Sequence, residues 1–234
     1  MAAFPGFPAE GLKFFRSLRK NNTREWFQPR KEIFDSKLKA PMEELVALIN
    51  GELAQVAPDH IVEPKKAVYR IYRDTRFSSD KTPYKTHIAA NFPRRGLEKH
   101  AGAGFYFSVS DEEIEVAGGV YMPGPPELMA IRTHIAANHA DFHKLATNRK
   151  LVAALGPLKG EALRRPPKGF DAEDPAADYL RMKQWYFFQT LPGSIAATPA
   201  VFKEVADRFK LLAPYVHHIN TPLLAKARKV NYNP

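Results

Sequence analysis

Read for the spacing of its apolar positions, the first third of the chain is helical. Leu12, Phe15 and Leu18 recur at helical intervals until Asn21 and Asn22 stop the pattern. Pro29 suits the first turn of a second helix carrying Ile33, Phe34 and Leu38. Pro41 then kinks that helix or opens the next, where Leu45, Val46, Leu48, Ile49 and Leu53 form an apolar face. From Val68 the period shortens. Residues 68–73, 86–92, 105–110 and 114–121 alternate, or are rich in aromatic and β-branched side chains, which predicts strands. The short polar run from Ser110 to Glu113 predicts a hairpin between the last two.

Helical spacing returns over residues 127–148, introduced by Pro125 and Pro126. Asp174 before Pro175 predicts another helix start, residues 184–190 a fifth strand, and Thr198-Pro199 a last helix. The basic tail from Lys226 reads as loose. Strands gathered between helical ends predict an α+β fold with a mainly antiparallel sheet of about five strands flanked by helices. A doubly wound parallel sheet would need strands and helices to alternate throughout. The runs "PGPP" and "PPKG" read as turns, and no repeat or linker divides the chain, so residues 1–234 are expected to form a single domain.

Composition adds direction. The 234 residues, 44% hydrophobic and 12% aromatic, can bury a sizeable core, while a net charge of +10 points to anionic partners. The absence of cysteine excludes disulfides, thiol chemistry and cysteine-based zinc sites. The opening stretch does not read as a signal peptide and no apolar run reaches about 20 residues, so a cytoplasmic protein without a membrane partner is expected.

The positive charge is concentrated. In "RIYRDTRFSSDKTPYK", Arg70, Arg73, Arg76, Lys81 and Lys85 share sixteen positions with two acids, Asp74 and Asp80. For these cations to converge, the chain must leave its strand near Arg73 and fold back through a turn at Thr82-Pro83. Phe77 is then expected to anchor the loop to the core, and Tyr84 to offer a hydroxyl. Arg presents paired donors to phosphate or carboxylate oxygens, and Lys adds a mobile charge. Either the two acids tie the segment into an ion-pair knot, or the surplus of three cations awaits an anion. Desolvating unmatched cations is costly, which favours the second.

The expected ligand is thus a small, phosphate-bearing anion held by Arg70, Arg73, Arg76, Lys81, Tyr84 and Lys85, with Asp74, Phe77 and Asp80 in support. Two alternatives stand beside it. Aromatic rings among the cations would suit nucleic acid, although no helix-turn-helix, RNP or zinc-finger pattern is present. An enzyme acting on a phosphate ester could use Tyr84 or Asp74 as nucleophile or base, although the chain lacks a P-loop, a nucleophile elbow and a nucleotide fingerprint. No cofactor is implied. His139 and His143, four apart on a helix, could share a metal, but without a following Glu they read as surface histidines and no metal site is assigned. The adjacent His217 and His218 diverge by about 100° on a helix.

The sixteen-residue segment, through Arg70, Arg73, Asp74, Arg76, Phe77, Asp80, Lys81 and Tyr84, resembles the signature of the DUF2461 family of bacterial and fungal proteins. The resemblance extends to "NNTREWF", "GAGFYFSV", "GGVYMP" and "PKGFDAEDPAADYLRMK", most of the chain. It implies that these residues matter, and it lends no reaction.

Overall fold

The computed structural model describes residues 4–98 and 101–230. In chain order these form α1 (Ala9–Lys20), α2 (Arg24–Phe27), α3 (Lys31–Phe34), α4 (Ala40–Val56), α5 (Pro64–Ala67), β1 (Ile88–Phe92), β2 (Gly104–Val109) and β3 (Glu113–Val120). Then follow α6 (Pro125–Ala137), α7 (His139–Ala146), α8 (Arg149–Leu155), α9 (Ala177–Leu180), β4 (Trp185–Pro192) and α10 (Ala200–Val230). The strands make one antiparallel sheet in the order β1-β2-β3-β4. The class is α+β.

Alternation decides which face of that sheet is buried. Ile88, Phe92, Phe105, Phe107, Val109, Ile114, Val116, Val120, Trp185 and Phe187 all point into the core. Over them lies α10, whose Phe209 ring meets Phe105 at 5.0 Å and Phe92 at 5.5 Å. Gly118 permits this approach, because a Cβ there would stand 2.7 Å from Leu212. The next residue, Gly119, has φ of +130°, and a Cβ would meet the Trp185 carbonyl oxygen at 2.2 Å. Asn220, buried on α10, clasps the start of β2: its amide donates to the Ala103 carbonyl and accepts from the Ala103 N–H, both at 2.9 Å.

The N-terminal helices bring a second aromatic group to this core. Phe14 of α1 packs against Trp26, Phe27 and Phe34 with centroids 5.4 to 6.3 Å apart. The helix expected from Pro29 follows the short α2 and is broken into a 3-10 turn at Gln28–Arg30, α3 and a π turn at Asp35–Lys39. Pro41 has no N–H to offer the Lys37 carbonyl, so the ladder widens ahead of it and resumes as α4.

Three other expectations are corrected. Residues 68–73 form no strand. They make two isolated bridges, Val68 with Ala90 of β1 and Tyr72 with Tyr84 ahead of it, which are two residues out of register with each other. The sheet therefore has four strands, not five. The helix over residues 127–148 divides at Asn138, where φ is −130°. At the other end α10 runs on to Val230, through the start of the tail expected to be loose; residues 231–234 lie outside the described part. No helix among the described residues is long and apolar enough to cross a membrane.

Candidate anion-binding arm

Residues 68–87 leave the sheet as an arm, and its root is held by side chains rather than a ladder. Asn22, just past α1, donates to the Tyr84 carbonyl at 2.9 Å and accepts from the Tyr84 N–H at 3.0 Å. One side-chain amide thus satisfies both backbone groups of a residue outside any strand. Tyr84 lies 1% exposed with its ring stacked on Phe27 at 4.1 Å. Two backbone bonds, Arg73 N–H to Pro83 and Lys85 N–H to Ile71, close the base.

Beyond the root, the loop ties itself with its own charges. Asp80 accepts from the Thr82 N–H at 2.9 Å and from the Thr82 hydroxyl at 3.1 Å, and Arg73 bonds both Asp80 and the Thr82 hydroxyl. These bonds, led by the Thr82 N–H, hold the Asp80 carboxyl down at about 2. Asp74 takes a fork from Arg76, Nε at 3.0 Å and Nη2 at 2.8 Å, with the Arg76 N–H at 3.2 Å. The Arg76 side chain, then its N–H, lowers Asp74 to about 2, and Arg70 adds a weaker pull. Lys81 donates to the Thr75 carbonyl at 2.9 Å, and the Lys85 ammonium stands 5.1 Å from the centre of the Tyr69 ring.

Part of the knot is therefore present. Arg73 and Arg76 consume both acids of the loop, the Arg76 pair open to solvent and the Arg73 pair partly buried. Arg70 is exposed, and neither it nor Lys81 pairs with an acid among the described residues. Phe77 departs from its expected place. It is 94% exposed, with the Arg76 guanidinium 5.7 Å from its ring, because Tyr84 already fills the core beneath the arm. Tyr72, its ring 5.4 Å from that of Tyr84, is 44% exposed at the loop's root.

The two candidate catalytic groups are poorly placed for that work. The Tyr84 hydroxyl is pushed up by burial, against the needs of a nucleophile, and Asp74 is held ionised with both oxygens on Arg76. Elsewhere, His143 Nδ1 lies 2.8 Å from the Tyr179 hydroxyl and the His139 ring is 5.7 Å away. No group of three ligating side chains that could hold a metal occurs among the described residues. His218 packs on His134 at 4.6 Å while its neighbour His217 is exposed. Two clefts, of about 700 and 410 Å³, are lined by residues outside the arm.

Asn22 is the residue that pattern reading passes over. Its role depends on a partner sixty-two positions away; its sequence signals are its place at the end of a helix and within the NNTREWF stretch that carries the family resemblance.

The profile of the family described as "Conserved hypothetical protein (DUF2461)" matches residues 10–218, from α1 to within α10. The chain belongs to this family. No curated protein and no solved structure matches it.

Proposed function

We propose that this DUF2461 protein binds a phosphate-bearing anion at the arm, with Arg70 and Lys81 as the primary contacts and Lys85 at its base. The observation that carries the reading is the incomplete neutralisation of the loop. Five cations meet two acids, both acids go to Arg73 and Arg76, and no described acid elsewhere in the fold comes to Arg70 or Lys81. Arg73 and Arg76 then act as struts, fixing the loop so that the remaining charges need little reordering on binding. Phe77 at the tip adds an exposed ring face for a planar portion of the ligand.

Thermal unfolding with and without inorganic pyrophosphate tests the reading. A ligand that binds only the folded state adds about 2.7 kcal/mol at 100 times its Kd. The wild type is expected to rise in Tm as pyrophosphate is added, and Arg70→Ala and Lys81→Ala to lose most of that rise while keeping the unliganded Tm. Equal rises in all three proteins would sink the assignment.

A further inference from the structure

The sheet face turned away from α10 carries side chains the arm does not use. Cross-strand register lays one row as Asn91–Tyr106–Ala117–Phe188, and the row beside it as Gly104–Gly119–Tyr186. The face continues past the four strands on both sides. Beyond β1, Tyr69 sits opposite Ala89, its N–H bonded to the Ala89 carbonyl. Beyond β4, Lys159 bridges to Tyr186. Tyr69, Tyr106, Tyr186 and Phe188 are half-buried, and Tyr121, edge-on to Tyr186 at 5.2 Å, is 58% exposed. Among Tyr106, Phe188 and Tyr186 the intervening positions are Ala117, Gly104 and Gly119, so these rings stand above a low floor.

A lysine marks each border of this face. Lys85 lies over Tyr69, and the Lys159 ammonium lies 4.9 Å from the centre of the Phe188 ring. Lys85 sits on the stretch that runs into β1, so four strand spacings of about 4.8 Å separate the two lysine segments, roughly 19 Å in all. The cations continue outward on both sides, to Arg70 and Lys81 of the arm and to the exposed Arg164, Arg165 and Lys168 of the loop after Lys159. Of the acids on or beside the face, Glu115 accepts from the Ser108 hydroxyl at 2.9 Å and Glu161, near Tyr186, pairs with Lys183 at 3.4 Å, whereas Glu113 is exposed at the hairpin end. A polyanion is thereby kept to the end carrying Tyr106, Phe188 and Tyr186.

We propose that this open face binds a single strand of nucleic acid, with bases stacked on Tyr106, Phe188 and Tyr186 and phosphates neutralised between Lys85 and Lys159. The inference rests on the anion-binding reading of the arm and names its ligand. A span of roughly 19 Å between the segments of the flanking cations exceeds one nucleotide and suits a chain. A four-stranded sheet with rings on one face accommodates about two or three unstacked bases, a mode closed to duplex DNA.

Fluorescence anisotropy with a labelled mixed-sequence 12-nucleotide RNA, and the same sequence as DNA, decides it. The wild type is expected to bind at low salt. Phe188→Ala should weaken binding roughly 10-fold. Lys159→Gln, a surface change that leaves the fold intact, should reduce the log–log salt slope by about 0.7. Unfolding curves for both variants establish that they are folded. Binding that survives both substitutions but falls with Arg70→Ala overturns the sheet-face assignment and leaves the arm in place. So does a wild type that ignores both oligonucleotides yet is stabilised by pyrophosphate. A wild type indifferent to oligonucleotides and pyrophosphate alike overturns both readings.

Discussion

Two hairpins in this molecule close by different means. The β2–β3 hairpin keeps one register from Gly104–Gly119 to Val109–Ile114. Its turn is knitted by the Ser110 hydroxyl, which donates to the Glu113 carbonyl and accepts from the N–H groups of Glu112 and Glu113. The arm has two mismatched bridges, and its loop is closed by Arg73–Asp80 and Arg76–Asp74. The contrast follows from what each hairpin has to bury. Phe105, Phe107, Val109, Ile114 and Val116 give the first an apolar face that fixes register, since a one-residue slip would expose all of them. The arm buries only Ile71 and Tyr84 fully, with Val68 packed on the edge of the core, so its register is loosely set and side-chain charge takes over. A ladder makes a scaffold, whereas a loop shaped by charge can also present charge.

The sharpest way to break the first hairpin is through its buried face. Phe107→Ala removes a fully buried ring that packs near Phe92 and Phe209, and is expected to cost about 3–5 kcal/mol of global stability in urea unfolding. A loss below about 1 kcal/mol would mean that the sheet does not depend on this face.

Next in size is a pH effect that separates scaffold from arm. His60, 4% exposed, meets the Phe92 carbonyl through Nδ1 at 3.0 Å, and burial pushes it down to about 4. An unfolded histidine titrates near 6.5, so between pH 6.5 and 4 the unfolded chain binds the extra proton and stability falls as pH falls. The full effect is about 3 kcal/mol. Asp74 and Asp80 act in a lower window: their stabilisation is intact above the usual carboxylate range and is lost only as pH falls toward about 2. Urea midpoints from pH 7 to 4 should therefore drop in the wild type and flatten in His60→Gln. Equal slopes in both proteins would assign the drop to other groups.

The smallest effect belongs to the arm. Asn22→Ala strands the Tyr84 N–H and carbonyl, at a cost of about 1–3 kcal/mol. Its signature is local: amide exchange should quicken at Tyr84, Arg73 and Lys85 while Phe107 and Val116 keep their protection. Uniform quickening across both hairpins would show that the arm is part of the scaffold after all.

The same contrast explains what could be read from the sequence. β2, β3 and β4 were legible because Phe105 to Val109, Ile114 to Val120 and Trp185 to Leu191 alternate against a buried face. The α+β class followed from their place between helical ends. The segment 68–73 was misread because Val68, Ile71 and Tyr72 look strand-like one at a time, while the two-residue slip between bridges depends on where Asn22 holds Tyr84. The charge balance of the arm was legible as a count; which arginine took which aspartate was not, since that is settled by the turn at Asp80 and Thr82. Phe77 was misplaced because nothing in the local sequence shows that Tyr84 has already filled the space beneath it.

The clasp between Asn220 and Ala103 has a kinetic consequence. The two residues are 117 positions apart, and Phe209, which covers Phe92 and Phe105, is nearly as distant in sequence. During synthesis the whole antiparallel sheet leaves the ribosome before the helix that roofs it. Until then its aromatic face is open to water and to other chains. Closing so long a loop is slow relative to local hairpin and helix formation. The rate at which the last helix docks, rather than the strength of the finished core, governs how long the nascent chain is prone to aggregation.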